Sequence, residues 1–285
     1  MSHFRKYYPP HHIVRDAVSR ALSEDLGRRG DITTNSVIST KAEGSWIISA
    51  REKGVISGLD CVHEVFFNLD NRIEVNAACE DGAQVEAGTI IVRINGFVRP
   101  VLTGERTALN FLGHLSGIAS LTERYVALTA GTKANIVCTR KTTPGLRVLE
   151  KYAVLAGGGH NHRFGLDDAV LIKDNHIAAA GGITCAIKAA QAHAGHLVQI
   201  EVEVDTIDQL EEALGAGAAI ILLDNMSIDD LTQAVHINQG RATLEASGGI
   251  NEHTCQEIAQ TGIDIISVGR LTHSAPTLDL GLDTT

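Results

Sequence analysis

The second half of the chain repeats one unit: a short apolar run rich in β-branched residues, a polar turn and a helical stretch. The apolar runs occupy residues 135–141, 169–174, 198–204, 219–225, 242–249 and 263–270. Their nearly continuous apolar character predicts strands that are buried on both faces. The segments between them, such as TIDQLEEALGAG and SIDDLTQAVHINQG, open with a Thr or Ser that can cap a helix and end in glycine. Alternating strands and helices predict a parallel sheet, either doubly wound or curled into a barrel.

The residues at the predicted strand ends distinguish between these two folds. Nearly every run finishes in charged or small polar residues: Arg140 and Lys141, Lys173, Glu203, Asp224, Ser247 with Gly248 and Gly249, and Gly269. In a β/α barrel the carboxyl ends of all strands meet at one mouth, whereas in a doubly wound sheet only those beside the switch point meet. This pattern favours the barrel. Because a full eight-stranded barrel takes ~250 residues, we expect an open, incomplete one.

The first 115 or so residues lack this rhythm. A helix is predicted near residues 11–26, and the short alternating stretches that follow, separated by glycine turns, indicate an antiparallel sheet in an α+β domain. A long helix is predicted over 103–129, and a later one opens with Thr143 as its N-cap and Pro144 at its first helical position. We therefore expect an N-terminal α+β domain over residues 1–115 and a β/α barrel domain over 116–274.

Composition narrows the class of protein. The formal net charge of −10 argues against general nucleic-acid binding, and no stretch approaches the 18 or so apolar residues of a membrane span. The five cysteines are odd in number and widely spaced, and the N-terminus lacks the apolar stretch of a secretion signal. These features predict a cytoplasmic protein with free thiols.

One segment of this acidic chain is basic. Residues 139–173 contain six Lys or Arg residues against three Asp or Glu residues. A solvated helix face would explain Arg147 and Lys151, but the other four basic residues fall at strand ends or in loops. The segment therefore predicts a site for a specific anionic ligand.

The sequence GGGHNHR, residues 157–163, raises the question of what that ligand is. His160 and His162 have a spacing that zinc sites use, but the adjacent Arg163 would repel a metal ion. Glu203 and Asp224 would face the same mouth, where they could bind Mg²⁺ together with substrate phosphates or form salt bridges with Lys141 and Lys173. Glycines after the last two strands leave room for a phosphate. Lys173 could alternatively form a Schiff base, although so much neighbouring charge disfavours it.

Long motifs then point to a family. The motifs occur in that family's order along the chain: EDLGRRGDITT, GERTALNFLGHLSGIA, TRKTTPGLRVLEKYAV, GGGHNHRFGLDDAVLIKDNHI, EVEVDT, LLDNMS, LEASGGI and SVGRLTHSAPTLDLGLD. Together they resemble quinolinate phosphoribosyltransferase, a pentosyltransferase of NAD biosynthesis, and the resemblance spans almost the whole chain. It implies an N-terminal α/β sandwich, an open seven-stranded β/α barrel, and a C-terminal tail of about 275–285 that returns to the first domain.

The resemblance also implies a reaction and an assembly. Quinolinate would react with phosphoribosyl pyrophosphate (PRPP) in the presence of Mg²⁺, giving nicotinate mononucleotide, pyrophosphate and CO₂. The family works as homodimers or larger assemblies in which the partner's N-terminal domain completes each barrel mouth. The first half of the chain matches more loosely than the barrel motifs, as does Arg270, so the partner-subunit contacts are less firmly implied.

Site residues follow from the matched motifs. The quinolinate carboxylates would be held by Arg140, His162, Arg163 and Lys173, with Arg106 supplied by the neighbouring subunit. Lys141 and Lys173 would lie between the two substrates, and Glu203 and Asp224 would meet the ribose and Mg²⁺. Ser247, Gly248, Gly249 and Gly269 would form the phosphate cradle, with His273 beside it.

Two rival interpretations remain open at this stage. A paralogue of the kind associated with molybdenum transport would keep the fold but act on a different acceptor; the intact set of Arg106, Arg140, His162 and Arg163 favours quinolinate. A Schiff-base aldolase, from a different class of enzyme, would be trapped by borohydride with its substrate.

Overall fold

A computed structural model describes residues 8–285, which form two compact units. The first unit contains the residues up to 123, 142–158 and 271–285, and the second contains 124–141 and 159–270. Residues 142–158 thus cluster with the first unit, although they lie within the predicted barrel domain of residues 116–274.

The described residues contain strands of two to eight residues. They are β1 (Glu43–Ala50), β2 (Gly54–Val55), β3 (Glu74–Ala77), β4 (Gln84–Val85), β5 (Ile90–Phe97), β6 (Asn135–Val137), β7 (Val170–Ile172), β8 (Ile200–Val204), β9 (Ile220–Asp224), β10 (Thr243–Ser247), β11 (Ile265–Ser267) and β12 (Leu280–Thr284).

The helices alternate with the strands after residue 135, as the repeated unit predicts. They are α1 (His11–Leu26), α2 (Ile32–Val37), α3 (Leu59–Leu69), α4 (Val98–Leu128), α5 (Arg147–Ala156), α6 (Asp174–Ala180), α7 (Ile183–His193), α8 (Ile207–Gly215), α9 (Ile228–Asn238), α10 (Cys255–Gln260) and α11 (Arg270–His273). None of the helices within residues 8–285 is both long enough and apolar enough to cross a bilayer.

The first unit is built on a four-stranded sheet with the order β12-β1-β5-β3. All its pairings are antiparallel, which confirms the predicted sheet. Trp46 and Ile48 alternate with more exposed positions along β1 and are buried, as is Ile94 opposite Trp46 on β5. The C-terminal strand β12 pairs with β1, so the end of the chain is part of this sheet.

The second unit is built on a six-stranded parallel sheet with the order β6-β11-β10-β9-β8-β7. The first and last strands in space do not pair, so the barrel is open, as predicted. The resemblance implies seven strands. Val137, the last residue of β6, forms one isolated parallel bridge with His160. Within residues 8–285 this single residue pair stands in place of a seventh strand.

Three details of the helices differ from the sequence-based predictions. Helix α4 begins at Val98, five residues before the predicted start at 103. Helix α5 begins at Arg147, and Thr143 is not its cap, because Gly145 has a φ of 84° that interrupts any helix there. The backbone N–H of Thr143 instead donates to Glu150 Oε2 at 3.0 Å. Lys151, interpreted as part of a solvated face, is fully buried in the first unit.

Candidate active site

The carboxyl edge of the parallel sheet brings predicted site residues together. Asp224 and Ser247 are the last residues of β9 and β10, and they are paired directly in the ladder. Glu203 lies one residue before the end of β8, and Lys173 follows β7 immediately. Because all these strands are parallel, the four side chains belong to one edge.

Lys173 and Glu203 form a short ion pair across β7 and β8. The Lys173 side chain is 47% exposed, whereas that of Glu203 is 12% exposed. A Schiff-base lysine requires a desolvated amine without a charged partner. This geometry therefore disfavours the aldolase interpretation, and it confirms that at least one of the two acids is salt-bridged.

The turn after β9 packs against the glycines after β10. Asn225 has a φ of 54°, its N–H donates to the carbonyl of Ser247 at 2.9 Å, and its side-chain amide donates to Asp224 Oδ2 at 2.7 Å. A Cβ on Gly248 would lie 2.1 Å from Asn225 Oδ1, and the φ of Gly248 is 90°. Glycine is therefore required at 248 for two reasons: backbone conformation and close approach.

The basic loop runs alongside β6. His160 exchanges backbone hydrogen bonds with the β6 segment, donating to Ile136 O at 2.9 Å and accepting from Cys138 N at 3.1 Å. Arg163 Nη1 donates to Ala169 O at 3.0 Å, while its Nε is buried and makes no hydrogen bond within the described residues. Burial and the nearby Arg140 guanidinium lower the pKa of Arg163. An anion bound near both guanidiniums would relieve this repulsion.

Beneath this loop lies a buried group that the sequence analysis missed. His162 Nε2 is 2.9 Å from Glu201 Oε2 and 3.7 Å from Glu245 Oε1. Both acids are almost inaccessible, with exposed fractions of 6% and 2%. Burial and the charge of Glu201 raise the pKa of Glu245 to about 7. The overlooked signal was a charge in the middle of a strand predicted to be buried on both faces, because such a charge needs a partner.

These three side chains place ligand-capable atoms within 4.8 Å of one another, which is a spacing that a metal ion could bridge. However, His162 Nδ1 accepts the backbone N–H of Arg163 at 2.8 Å. A metal on Nε2 would require the ring proton to be on Nδ1, where that N–H already points. The geometry therefore argues against a metal ion at this position.

The remaining predicted residues are distributed as follows. Lys141 is exposed, and its N–H donates to Thr139 Oγ1 at 3.0 Å. Gly269 follows β11 and is half-buried. Arg106 and His273 belong to the first unit: Arg106 is exposed on α4 and lines a cavity of about 480 Å³, and His273 Nδ1 lies 2.6 Å from Ser274 Oγ.

The fold and the edge residues define a class: an open β/α barrel with a basic loop and a glycine-lined turn at the carboxyl edge of its sheet. Comparison with known proteins gives the family. Residues 31–116 match the family model for the quinolinate phosphoribosyl transferase N-terminal domain, and residues 118–283 match the model for its C-terminal domain. The chain belongs to the quinolinate phosphoribosyltransferase family.

Individual relatives agree over nearly full length. The nicotinate-nucleotide pyrophosphorylase [carboxylating] of Mycobacterium leprae is 45% identical over 278 residues, covering 95% of this chain and 96% of the relative. A probable enzyme of the same name from Bacillus subtilis is 41% identical over 275 residues, with 96% and 94% covered. The solved structure of the Francisella tularensis nicotinate-nucleotide pyrophosphorylase superimposes with a TM-score of 0.93 at 41% identity, covering 98% of each chain.

Proposed function

We propose that this chain transfers the phosphoribosyl group of PRPP to quinolinate with loss of CO₂, giving nicotinate mononucleotide and pyrophosphate for NAD biosynthesis. The relatives carry the names of this activity in both directions, carboxylating and decarboxylating. The structural observation that carries the proposal is the charged carboxyl edge of the sheet, where Lys173 pairs with Glu203 and Asp224 lies beside Ser247. The basic loop that contains Arg163 contacts this sheet through His162 and Glu201 of β8. A guanidinium pair suits a ligand with two adjacent carboxylates, because each guanidinium can bind one carboxylate in bidentate fashion.

We assign the acceptor half of the site to the basic loop. Arg140, Arg163 and Lys173 would hold the quinolinate carboxylates, and His162 belongs to the same loop. Arg106, which is exposed on α4, would act in the site of a partner subunit. The half-exposed ammonium of Lys173 supports this assignment, since it can turn towards substrate while Glu203 keeps it charged and oriented.

We assign the donor half to the turn after β10. Ser247, Gly248, Gly249 and Gly269 would face the phosphate of PRPP, with His273 as an additional candidate, and Lys141 would offset charge on the pyrophosphate. Mg²⁺ fits the chemistry of the nearby donors, because Glu203 and Asp224 offer carboxylate oxygens at the ends of neighbouring strands. Since Glu203 is already paired with Lys173, Asp224 and the substrate's own phosphates would hold most of the ion. When bound, Mg²⁺ would neutralise charge on the departing pyrophosphate.

The chain's own contribution to the reaction is preorganised charge. The arginines and lysines orient the pyridine nitrogen towards the anomeric carbon of the ribose, and no protein nucleophile is required. After the nitrogen is alkylated, its positive charge stabilises the electron pair left at C2 as CO₂ departs, and that pair then takes up a proton from water to give the C2–H of the product. Fixed positive groups at this edge would stabilise the charge that develops in both steps.

We further propose that the protein works in the cytoplasm as a homodimer or larger assembly. The five cysteines are free thiols, which is the usual state in a reducing compartment. The assembly follows from the role assigned to Arg106, which lies outside the unit that holds the barrel.

A product assay tests the function. The protein is incubated with PRPP and Mg²⁺ and either quinolinate or nicotinate, and product and CO₂ are measured. Nicotinate mononucleotide from quinolinate alone is the expected result; no product from either acceptor would contradict the proposal and favour the paralogue. Arg140→Ala should raise the KM for quinolinate by a factor of about a hundred with an unchanged melting temperature. Arg241→Ala is the matched control, because Arg241 precedes β10 at the opposite edge and its guanidinium donates to the carbonyls of Asn238 and Ile237.

A further inference from the structure

The two ring nitrogens of His162 have different partners, and together these define its tautomer. The backbone N–H of Arg163 can only donate, so His162 Nδ1 must accept this 2.8 Å hydrogen bond and carries no proton. The ring proton is therefore on Nε2, from which it is donated to Glu201 Oε2 at 2.9 Å. In this arrangement both nitrogens are engaged within the protein.

A neutral imidazole engaged at both nitrogens cannot donate a hydrogen bond to a substrate carboxylate without giving up one of these partners. The geometry instead makes His162 a link between Glu201 and Arg163. Arg163 is the next residue along the chain, and its guanidinium is anchored at Ala169 O at 3.0 Å. A shift of the His162 ring would therefore move the backbone that carries Arg163.

We propose that Glu201 is a positioning residue for quinolinate: it fixes the His162 ring, and through it Arg163, without touching the substrate. This inference rests on the proposed function. It differs from the direct carboxylate contact that the family resemblance implies for His162, and it gives a role to an acid that the sequence motifs leave unassigned.

A purely structural role for Glu201 explains the geometry less well. Glu201 Oε1 and Glu245 Oε1 are both buried without a hydrogen-bond partner in the described part of the chain. Two incompletely satisfied acids in a barrel interior are costly, and apolar residues of similar size would be neutral or stabilising there. Their presence next to His162 is accounted for if the ring must be held in one orientation.

Kinetics of paired variants test the proposal. Glu201→Leu removes the acceptor for His162 Nε2–H and should raise the KM for quinolinate roughly tenfold to a hundredfold, while the KM for PRPP changes little. Glu201→Gln keeps an acceptor oxygen at the same position and should recover most of the quinolinate affinity. An unchanged quinolinate KM in Glu201→Leu, or an equal rise for both substrates, would overturn the proposal.

A control variant distinguishes loss of Arg163 positioning from the general effect of breaking a buried Glu–His contact. Glu64 is 3% exposed and lies 3.0 Å from His11 Nε2 in the first unit, so Glu64→Leu breaks the same kind of Glu–His contact. It should lower stability without separating the two KM values. If Glu64→Leu also raised the KM for quinolinate but not the KM for PRPP, this difference would reflect general destabilisation. That result would overturn the positioning role of Glu201.

The tautomer can be measured without any substrate. In ¹⁵N spectra of histidine-labelled protein, assigned by the loss of a signal in His162→Asn, His162 should show a protonated Nε2 and an unprotonated Nδ1. A proton on Nδ1, or on both nitrogens, would overturn the proposal. Because this readout needs no turnover, it stays decisive if Glu201→Leu fails to fold. It also distinguishes the two failures: absence of product in the wild type rejects the proposed function, whereas the wrong tautomer rejects the role of Glu201.

Discussion

Gly248→Ala is expected to destabilise the carboxyl edge of the barrel more than any neighbouring glycine substitution. The backbone at 248 has a φ of 90°, and forcing a residue with a Cβ into the left-handed region costs about 1–2 kcal/mol. The added Cβ would also lie 2.1 Å from Asn225 Oδ1 and 2.9 Å from the backbone nitrogen of Asn225. Overpacking of this kind typically costs a further 1–3 kcal/mol or so. The free energy of unfolding should therefore fall by roughly 2–5 kcal/mol.

Gly249→Ala is the matched control. Its φ of 64° is also left-handed, but a Cβ there would meet nothing within 4 Å. Only the conformational cost of about 1–2 kcal/mol applies to it. The difference between the two variants, about 1–3 kcal/mol, is the contribution of the clash with Asn225.

Urea unfolding of both variants measures this difference, and PRPP kinetics measure its consequence. Asn225 also donates to Asp224, so displacement of Asn225 should raise the KM for PRPP in Gly248→Ala more than in Gly249→Ala. Adding Asn225→Gly to Gly248→Ala removes the nearest clashing atom and should recover part of the lost stability. Equal destabilisation by the two single variants would refute the close-contact argument.

Three further outcomes follow from the structure. Burial raises the pKa of Asp81 from 3.8 to about 6, so the folded protein binds this proton more tightly than the unfolded chain. The free energy of unfolding should therefore fall as pH rises between these values. In Asp81→Asn, urea titrations at different pH should lack this fall. Chelation with EDTA should abolish turnover and added Mg²⁺ should restore it, whereas activity insensitive to EDTA would contradict the Mg²⁺ requirement. Quinolinate should raise the melting temperature more than nicotinate at equal concentration, because it offers two carboxylates to Arg140 and Arg163, and equal shifts would argue against a paired-arginine clamp.

The parts of the fold that local rules determine could be predicted from the sequence. Strand β9 is an almost continuous apolar run, and α8 and α9 begin after Thr206 and Ser227, whose side chains accept from backbone N–H groups within their first turns. The start of α5 could not be predicted, because its boundary depends on the left-handed Gly145. A Thr-Pro pair is an equally good helix start when the following backbone conformation is unknown.

The candidate site shows the same division. The strand ends that carry Glu203 and Asp224 follow from periodicity, because parallel strands present their carboxyl ends at one edge. The Glu201–His162 contact joins residues 39 positions apart, one of them in a loop, so no local pattern encodes it. The roles proposed for Arg106, Arg140 and Arg163 rest on the family resemblance, since a basic segment alone does not distinguish a phosphate from a carboxylate.

Two acids, Asp168 and Glu201, bear on the charge of Arg163 in the free protein. Burial, and after it repulsion from Arg140, lower the pKa of Arg163, and the carboxylates of Asp168 and Glu201 oppose both effects. Asp168 also accepts the N–H groups of Phe164 and Gly165 at 2.6 and 2.9 Å, so its charge is fixed within the loop. Glu201 is fixed through His162. We therefore expect Asp168 and Glu201 to offset part of the repulsion between the two guanidiniums, and an acceptor with two carboxylates to offset the rest.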